Sequence, residues 1–198
     1  MSADSELRPE KSPVNGRWDV FTIEHFLSTE TCVELIAESE RHGFEEAAIN
    51  TVHGQQVVKS VRNNDRILYD DADLAARWWA RAEPFFPPTF GEWQASGLNE
   101  RFRFYRYRPG QRFSAHRDGS FQRNADEMSW LTLMVYLNDG FVGGRTRFDL
   151  PGEAEPVVIE PAPGRALAFV HDRLHEGEEL IEGVKYVLRT DVMYRRIR

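Results

Sequence analysis

The sequence contains a single cysteine, Cys32, among 198 residues. One thiol can form no internal disulfide and cannot build a cysteine-rich zinc site, so a disulfide scaffold and a zinc finger are both excluded. No apolar run approaches the roughly 20 residues that cross a bilayer. The stretch from Met1 to Gly16 is polar and carries no apolar signal-peptide core. Basic residues are outnumbered, with 25 Lys and Arg against 32 Asp and Glu, giving a net charge of −7. That balance argues against a nucleic-acid partner, whose binding surfaces are usually basic. A cytoplasmic protein without a membrane segment is the expectation, and nothing in the sequence sets an oligomeric state.

What is present fits one globular domain. Hydrophobic residues make up 41% and charged residues 29%, and this length buries a sizeable core. Residues 1–16 read as a flexible arm, followed by one domain over residues 17–198 with no linker and no internal repeat. A short strand is expected at Trp18 to Ile23. Ser28 caps a helix over Thr29 to His42, whose Cys32, Leu35, Ile36 and Ser39 share one face, and Gly43 ends it. A second helix is expected from Ala72 to Glu83, with an apolar stripe that includes Trp78 and Trp79, stopped by Pro84. From residue 100 the pattern turns to short strands punctuated by Gly and Pro, at residues 101–108, 113–117, 129–137, 145–148, 156–160, 165–170 and 185–195. Helices first and strands later, with no βαβ unit, predicts a mostly β sandwich or jelly roll with flanking helices.

The chemistry concentrates in His116-Arg117-Asp118 and a distant His175. Residues two apart on an extended strand point to one face. Two imidazoles and one carboxylate would hold a metal such as iron(II) on one face and leave the others open. A bare His-x-Asp is common by chance, and His171 competes with His175 as the third ligand. The stretch Arg101-Phe102-Arg103-Phe104-Tyr105-Arg106-Tyr107-Arg108 interleaves bases and aromatics as a nucleic-acid strand might, but it reads more simply as a core strand with arginines at its rim. His25, His42 and His53 read as surface or structural residues.

The flanks are more specific than the triad. The run Tyr105 to Gly119, then Tyr136-Leu137-Asn138, Gly143-Gly144-Arg145-Thr146-Arg147-Phe148, His175-Glu176-Gly177 and Gly183 to Tyr194 form an ordered set. This set resembles the prolyl 4-hydroxylase-like branch of the iron(II)- and 2-oxoglutarate-dependent oxygenases, strongly over residues 100–195 and more weakly over the N-terminal helices. The resemblance implies a double-stranded β-helix core at about 100–195. It implies Fe(II) held by His116, Asp118 and His175, with 2-oxoglutarate and O2 as cosubstrates. A basic residue ten positions after the distal histidine binds the far carboxylate of 2-oxoglutarate in relatives, and here that position is Lys185. Tyr136 and Tyr107 match pocket tyrosines. Strand parity turns Thr132, Met134, Val187 and Arg189 inward with them, so Arg189 is a rival to Lys185 for the cosubstrate, or else it binds a second acidic group. The ten-residue spacing favours His175 over His171, which then reads as a supporting residue. Relatives often carry an acidic residue after the Gly pair, where Arg145 stands here.

The substrate expectation rests on analogy. It is an unactivated C–H bond, in a prolyl or other amino-acid side chain, protein-bound or free. A small metabolite is the alternative within the same chemistry, and a non-enzymatic jelly-roll binding module is the alternative outside it. The segment Arg62-Asn63-Asn64-Asp65 is either a turn or part of the site entrance.

Overall fold

The computed structural model describes residues 3–46, 49–51, 54–56 and 62–197. Two antiparallel sheets face one another. In the large sheet the central order is Glu10–Pro13, Val20–Glu24, Ala166–Val170, Glu127–Tyr136, Lys185–Arg196, Arg101–Tyr107, Asp65–Asp70 and Glu45–Glu46. The small sheet runs Phe113–His116, Leu174–Gly177, Thr146–Asp149 and Val157–Ile159. This is the expected jelly roll.

Alternation along the long strands separates two cores. Leu131, Leu133 and Val135 join Phe102, Phe104 and Leu188 in the cluster that receives the helices. Their neighbours Tyr105, Tyr107, Tyr136 and Val187 face the other way and pack with Phe148 and Phe169 between the sheets. Period-two strands make this division automatic, and it turns polar inward positions such as Thr132 and Lys185 into the inter-sheet space.

Helix α1, Thr29–His42, and helix α2, Ala72–Ala82, cover the outer face of the large sheet. The Ser28 hydroxyl accepts from the Thr31 amide at 3.1 Å, and Gly43 closes α1 with φ 78°. Asp71 plays the same capping part for α2, accepting from the Leu74 amide at 2.8 Å. Trp78 is core, edge-on to Phe26 and Phe102 at 5.3 and 5.4 Å.

Two expectations are corrected. Residues 3–16 are not a loose arm: Glu10–Pro13 pairs with Val20–Glu24 as the sheet edge, and the Asp4 carboxylate accepts from the Ser28 amide at 2.7 Å. Backbone pairing needs no apolar pattern, so a polar sequence concealed it. No strand was expected at Asp65–Asp70, yet it pairs with Arg101–Tyr107 in the large sheet, whereas Val20–Glu24 forms where the strand at Trp18 to Ile23 was expected.

Candidate iron and 2-oxoglutarate site

His116 ends its strand, and His175 lies in Leu174–Gly177, directly opposite it in register. No strand was expected at Leu174–Gly177. Asp118 lies just past the strand, where its amide donates to the His171 carbonyl at 2.9 Å. The three side chains converge, with one ligand atom from each lying within 4.8 Å of the others.

The hydrogen bonds around the trio prepare it for a cation. His116 Nδ1 is 2.8 Å from the Ser114 carbonyl and His175 Nδ1 is 2.9 Å from the Arg173 carbonyl. A carbonyl can only accept, so each Nδ1 carries the proton and each Nε2 presents a lone pair. The two Nε2 atoms lie 3.5 and 3.9 Å from the Asp118 oxygens, and His116 Nε2 is buried without a hydrogen-bond partner. Two lone pairs and a carboxylate facing one another without a donor between them form a donor set that suits a divalent metal. Burial lowers His175 to about 4, keeping it neutral.

Asp118 is held by two donors. Thr132 Oγ1 donates to Oδ2 at 2.6 Å and Arg189 Nη1 donates to Oδ1 at 2.8 Å. Burial alone would raise this carboxyl, but the Arg189 guanidinium beside it holds it well below the usual carboxylate range. Arg189 is anchored in turn on Asp191 at 3.3 Å. Here Arg189 therefore contacts two carboxylates, those of Asp118 and Asp191. Phe113 stacks on the His116 ring with centroids 3.5 Å apart, and Phe169 covers His175 at 4.5 Å.

A slot runs inward from the histidines. Tyr107, Met134, Thr146, Phe169, Val187 and Lys185 line it. Lys185 is only 3% exposed, lies 5.2 Å from the Tyr107 ring centre and 5.4 Å from that of Tyr136, and donates to the Gly144 carbonyl. Burial lowers its amine to about 7, with Glu178 opposing. Burial also pushes the Tyr107 phenol up to about 12 and raises that of Tyr136, so both remain protonated. The Tyr136 hydroxyl is 2.7 Å from Thr146 Oγ1. Thr146 was missed as a site residue, although its place beside the Gly143-Gly144 pair was the available signal.

Other expected residues fall outside the trio. His171 is buried, with Nε2 3.8 Å from Asp191 and Nδ1 3.5 Å from Ser120 Oγ, and it is not part of the converging trio. Arg145 lines neither the slot nor the trio and pairs outward with Glu178 at 2.6 Å. His25 is exposed, His42 pairs with Glu38, and His53 lies outside the described residues. In the arginine-rich strand, Arg101 pairs with Asp70, Arg103 with Asp191, and Arg106 with Glu40 and Asp65. Within the 62–65 segment, Asn63 is turn-like, accepting from the Arg112 amide at 2.7 Å, while Arg62 faces the site.

Comparisons agree with this geometry. No curated protein matches the sequence. Among solved structures, the chain is similar to a viral collagen prolyl hydroxylase from Paramecium Bursaria Chlorella virus-1 in a 2-oxoglutarate complex. The TM-score is 0.63 at 20% identity, covering 93% of this chain and 99% of that one. A Pseudomonas putida prolyl-4-hydroxylase gives 0.65 at 19% identity over 91% and 93% of the two chains. A Trichoplax adhaerens prolyl hydroxylase, solved with a hypoxia inducible factor oxygen degradation domain peptide, gives 0.68 at 17% over 90% and 84%. At these identities the likeness is one of fold. The family model described as the 2OG-Fe(II) oxygenase superfamily matches residues 102–190, the stretch that carries the trio and the slot. Over that stretch the chain matches the 2OG-Fe(II) oxygenase superfamily, a family that uses iron(II), 2-oxoglutarate and oxygen, and the match supports a 2-oxoglutarate-dependent enzyme.

Proposed function

We propose that the enzyme hydroxylates an unactivated C–H bond of an amino-acid side chain, prolyl or other, protein-bound or free. His116, Asp118 and His175 hold iron(II), and Lys185 receives the distal carboxylate of 2-oxoglutarate. The observation that carries this reading is the pairing of both Nδ1 atoms with backbone carbonyls, which aims two lone pairs at Asp118 while Lys185 closes the inner end of the same slot. When bound, iron(II) with 2-oxoglutarate and oxygen supplies the oxidising power for C–H cleavage.

The protein's part is orientation and exclusion of water. Lys185 is the cation near the slot's inner end, and an incoming carboxylate replaces the Gly144 carbonyl as its acceptor. The Tyr136 hydroxyl, now shared with Thr146, turns to become a second donor, and Tyr107 forms a wall. Arg189 and Thr132 each occupy one Asp118 oxygen and so fix the plane of the carboxylate. Phe113, Phe169, Met134 and Val187 keep the slot apolar. The three solved relatives named above are prolyl hydroxylases by their descriptions, and this supports the amino-acid side chain as target by analogy. A small-metabolite hydroxylase is the second reading, favoured by the cationic cleft described below. A non-enzymatic jelly roll has no use for a prepared trio facing a buried lysine. Nucleic acid fits poorly, because carboxylates already pair Arg101, Arg103 and Arg106. A cytoplasmic location belongs to this reading and rests on the single, buried Cys32.

The test is anaerobic addition of Fe(II) and then 2-oxoglutarate, watched for the weak visible charge-transfer band of the chelate, followed by air and measurement of succinate. Absence of both the band and succinate would reject the reading.

A further inference from the structure

A second cleft, of about 540 Å³, opens on the outer side of the trio. Its size falls in the roughly 300–1,000 Å³ range of small-molecule pockets. Arg62, Arg66, Arg101, Arg103, Arg117 and Arg189 line it, and Asp118 is the sole carboxylate among its lining residues. In a chain with net charge −7, this local excess of cations is not a reflection of composition. Asp70, Asp191 and Asp118 answer Arg101, Arg103 and Arg189.

Arg62 is different. It is 4% exposed, and its guanidinium lies between the rings of Tyr105 and Phe113, 4.1 and 4.4 Å from their centres. Its Nε donates to Asn64 at 2.6 Å, while Nη2 is buried with no hydrogen-bond partner. Among the described residues no carboxylate pairs with it. Leaving a buried guanidinium donor unmatched is costly, so such a group marks a place where a ligand completes the site. Burial lowers Arg66, with the Arg62 and Arg103 cations adding to this and Tyr105 and Glu45 opposing it. Phe113 stacks on His116, so one ring separates Arg62 from a proposed iron ligand. Tyr105, Phe113, His116 and Arg189 line both this cleft and the slot, so occupants of the two would meet at the trio.

We propose that this cleft binds a small-molecule substrate through an anionic group on it, a carboxylate or a phosphate, with Arg62 as the residue that receives that group. A planar guanidinium matches either oxyanion with paired hydrogen bonds. This deepens the function proposed above and rests on it. It selects a free, acidic compound over a side chain inside a neutral peptide.

The test uses the full chain, loaded anaerobically with Fe(II) and 2-oxoglutarate. The visible band is confirmed first for wild type, Arg62→Met and Arg62→Lys; no band in wild type would be a failure of the enzyme reading and not of this one. Oxygen-driven succinate release is then screened over matched pairs: free amino acids against their amides, and sugar phosphates against the parent sugars. The expected stimulators are confined to the acids, and the arm that responds tells carboxylate from phosphate. For any stimulator, Arg62→Met should raise KM about tenfold or more, and Arg62→Lys should recover part of that loss. The proposal is overturned by a neutral partner that works as well as its acid, or by an unchanged KM in Arg62→Met. It is equally overturned if no compound in either set stimulates, or if a neutral peptide or an oligonucleotide stimulates more strongly than every small acid.

Discussion

Replacing Lys185 by Met should make the ligand-free enzyme more stable and its cosubstrate binding weaker. The amine is 3% exposed, and its one hydrogen bond is to the Gly144 carbonyl. Burial lowers it from 10.5 to about 7. The unfolded chain therefore binds more protons than the folded one between about 7 and 10.5, and wild-type stability rises with pH across that window. At pH 7 the burden of holding this charge inside is at most about 4 kcal/mol, and loss of the Gly144 hydrogen bond offsets about 1–2 kcal/mol of the relief. The Met variant should thus gain about 2 kcal/mol, or roughly 5 °C in melting temperature for a chain of this size. The opposite sign holds for 2-oxoglutarate. A charge-assisted hydrogen bond contributes about 1.5–3 kcal/mol, so affinity should fall about 10- to 100-fold. Because only the protonated amine binds the carboxylate, wild-type affinity should also fall as pH rises above about 7, and that decline should vanish in the variant. Thermal melts with and without 2-oxoglutarate, and anaerobic titration of the visible band from pH 6 to 9, read all three effects. A variant that melts lower without ligand would refute the argument from burial. Full 2-oxoglutarate affinity in Lys185→Met, with loss in Arg189→Met, would give the carboxylate to Arg189 instead.

Three further outcomes follow from the same geometry. His175→Ala should abolish binding of Fe(II) or Co(II), whereas His171→Ala should weaken it by about tenfold at most; metal titration distinguishes them. Arg189→Met removes the main cation that holds Asp118 below the carboxylate range. Protons should then compete for Asp118 as well as for the histidines, so metal binding should be lost on acidification at a higher pH than in wild type, as read by Co(II) absorption against pH. Gly164→Ala places a Cβ 2.0 Å from the Leu27 carbonyl at φ +74°, so it should cost at least about 3 kcal/mol in thermal or urea unfolding without touching the site directly.

Much of the site was legible because its signals are local. His116 and Asp118 stand two apart, Lys185 stands ten after His175, and strand parity alone turns Thr132, Met134, Val187 and Arg189 inward, where they line the slot. What parity could not give was who pairs with whom. Arg189 was left between a cosubstrate and an acidic neighbour, and only the register of Lys185–Arg196 beside Glu127–Tyr136 brings it to Asp118. Arg62 was harder still. It meets Phe113 through an isolated bridge between distant parts of the chain, and the Asn-Asp run after it reads as a turn whether or not the arginine is buried. The edge strand at Glu10–Pro13 was hidden for a related reason: an exposed strand held by backbone bonds leaves no hydrophobic alternation to find.

The facing register of His116 and His175 also bears on how the chain is held closed. With one cysteine the protein has no covalent tie of its own. A metal ion bound by both rings would be a reversible rivet across two strands that the sequence keeps far apart, closing a long loop as a disulfide would. Iron supply would then tune the mechanical integrity of the small sheet as well as turnover. Backbone amides of Phe113–His116 and Leu174–Gly177 should exchange with deuterium more slowly once the rivet is in place, before any cosubstrate arrives.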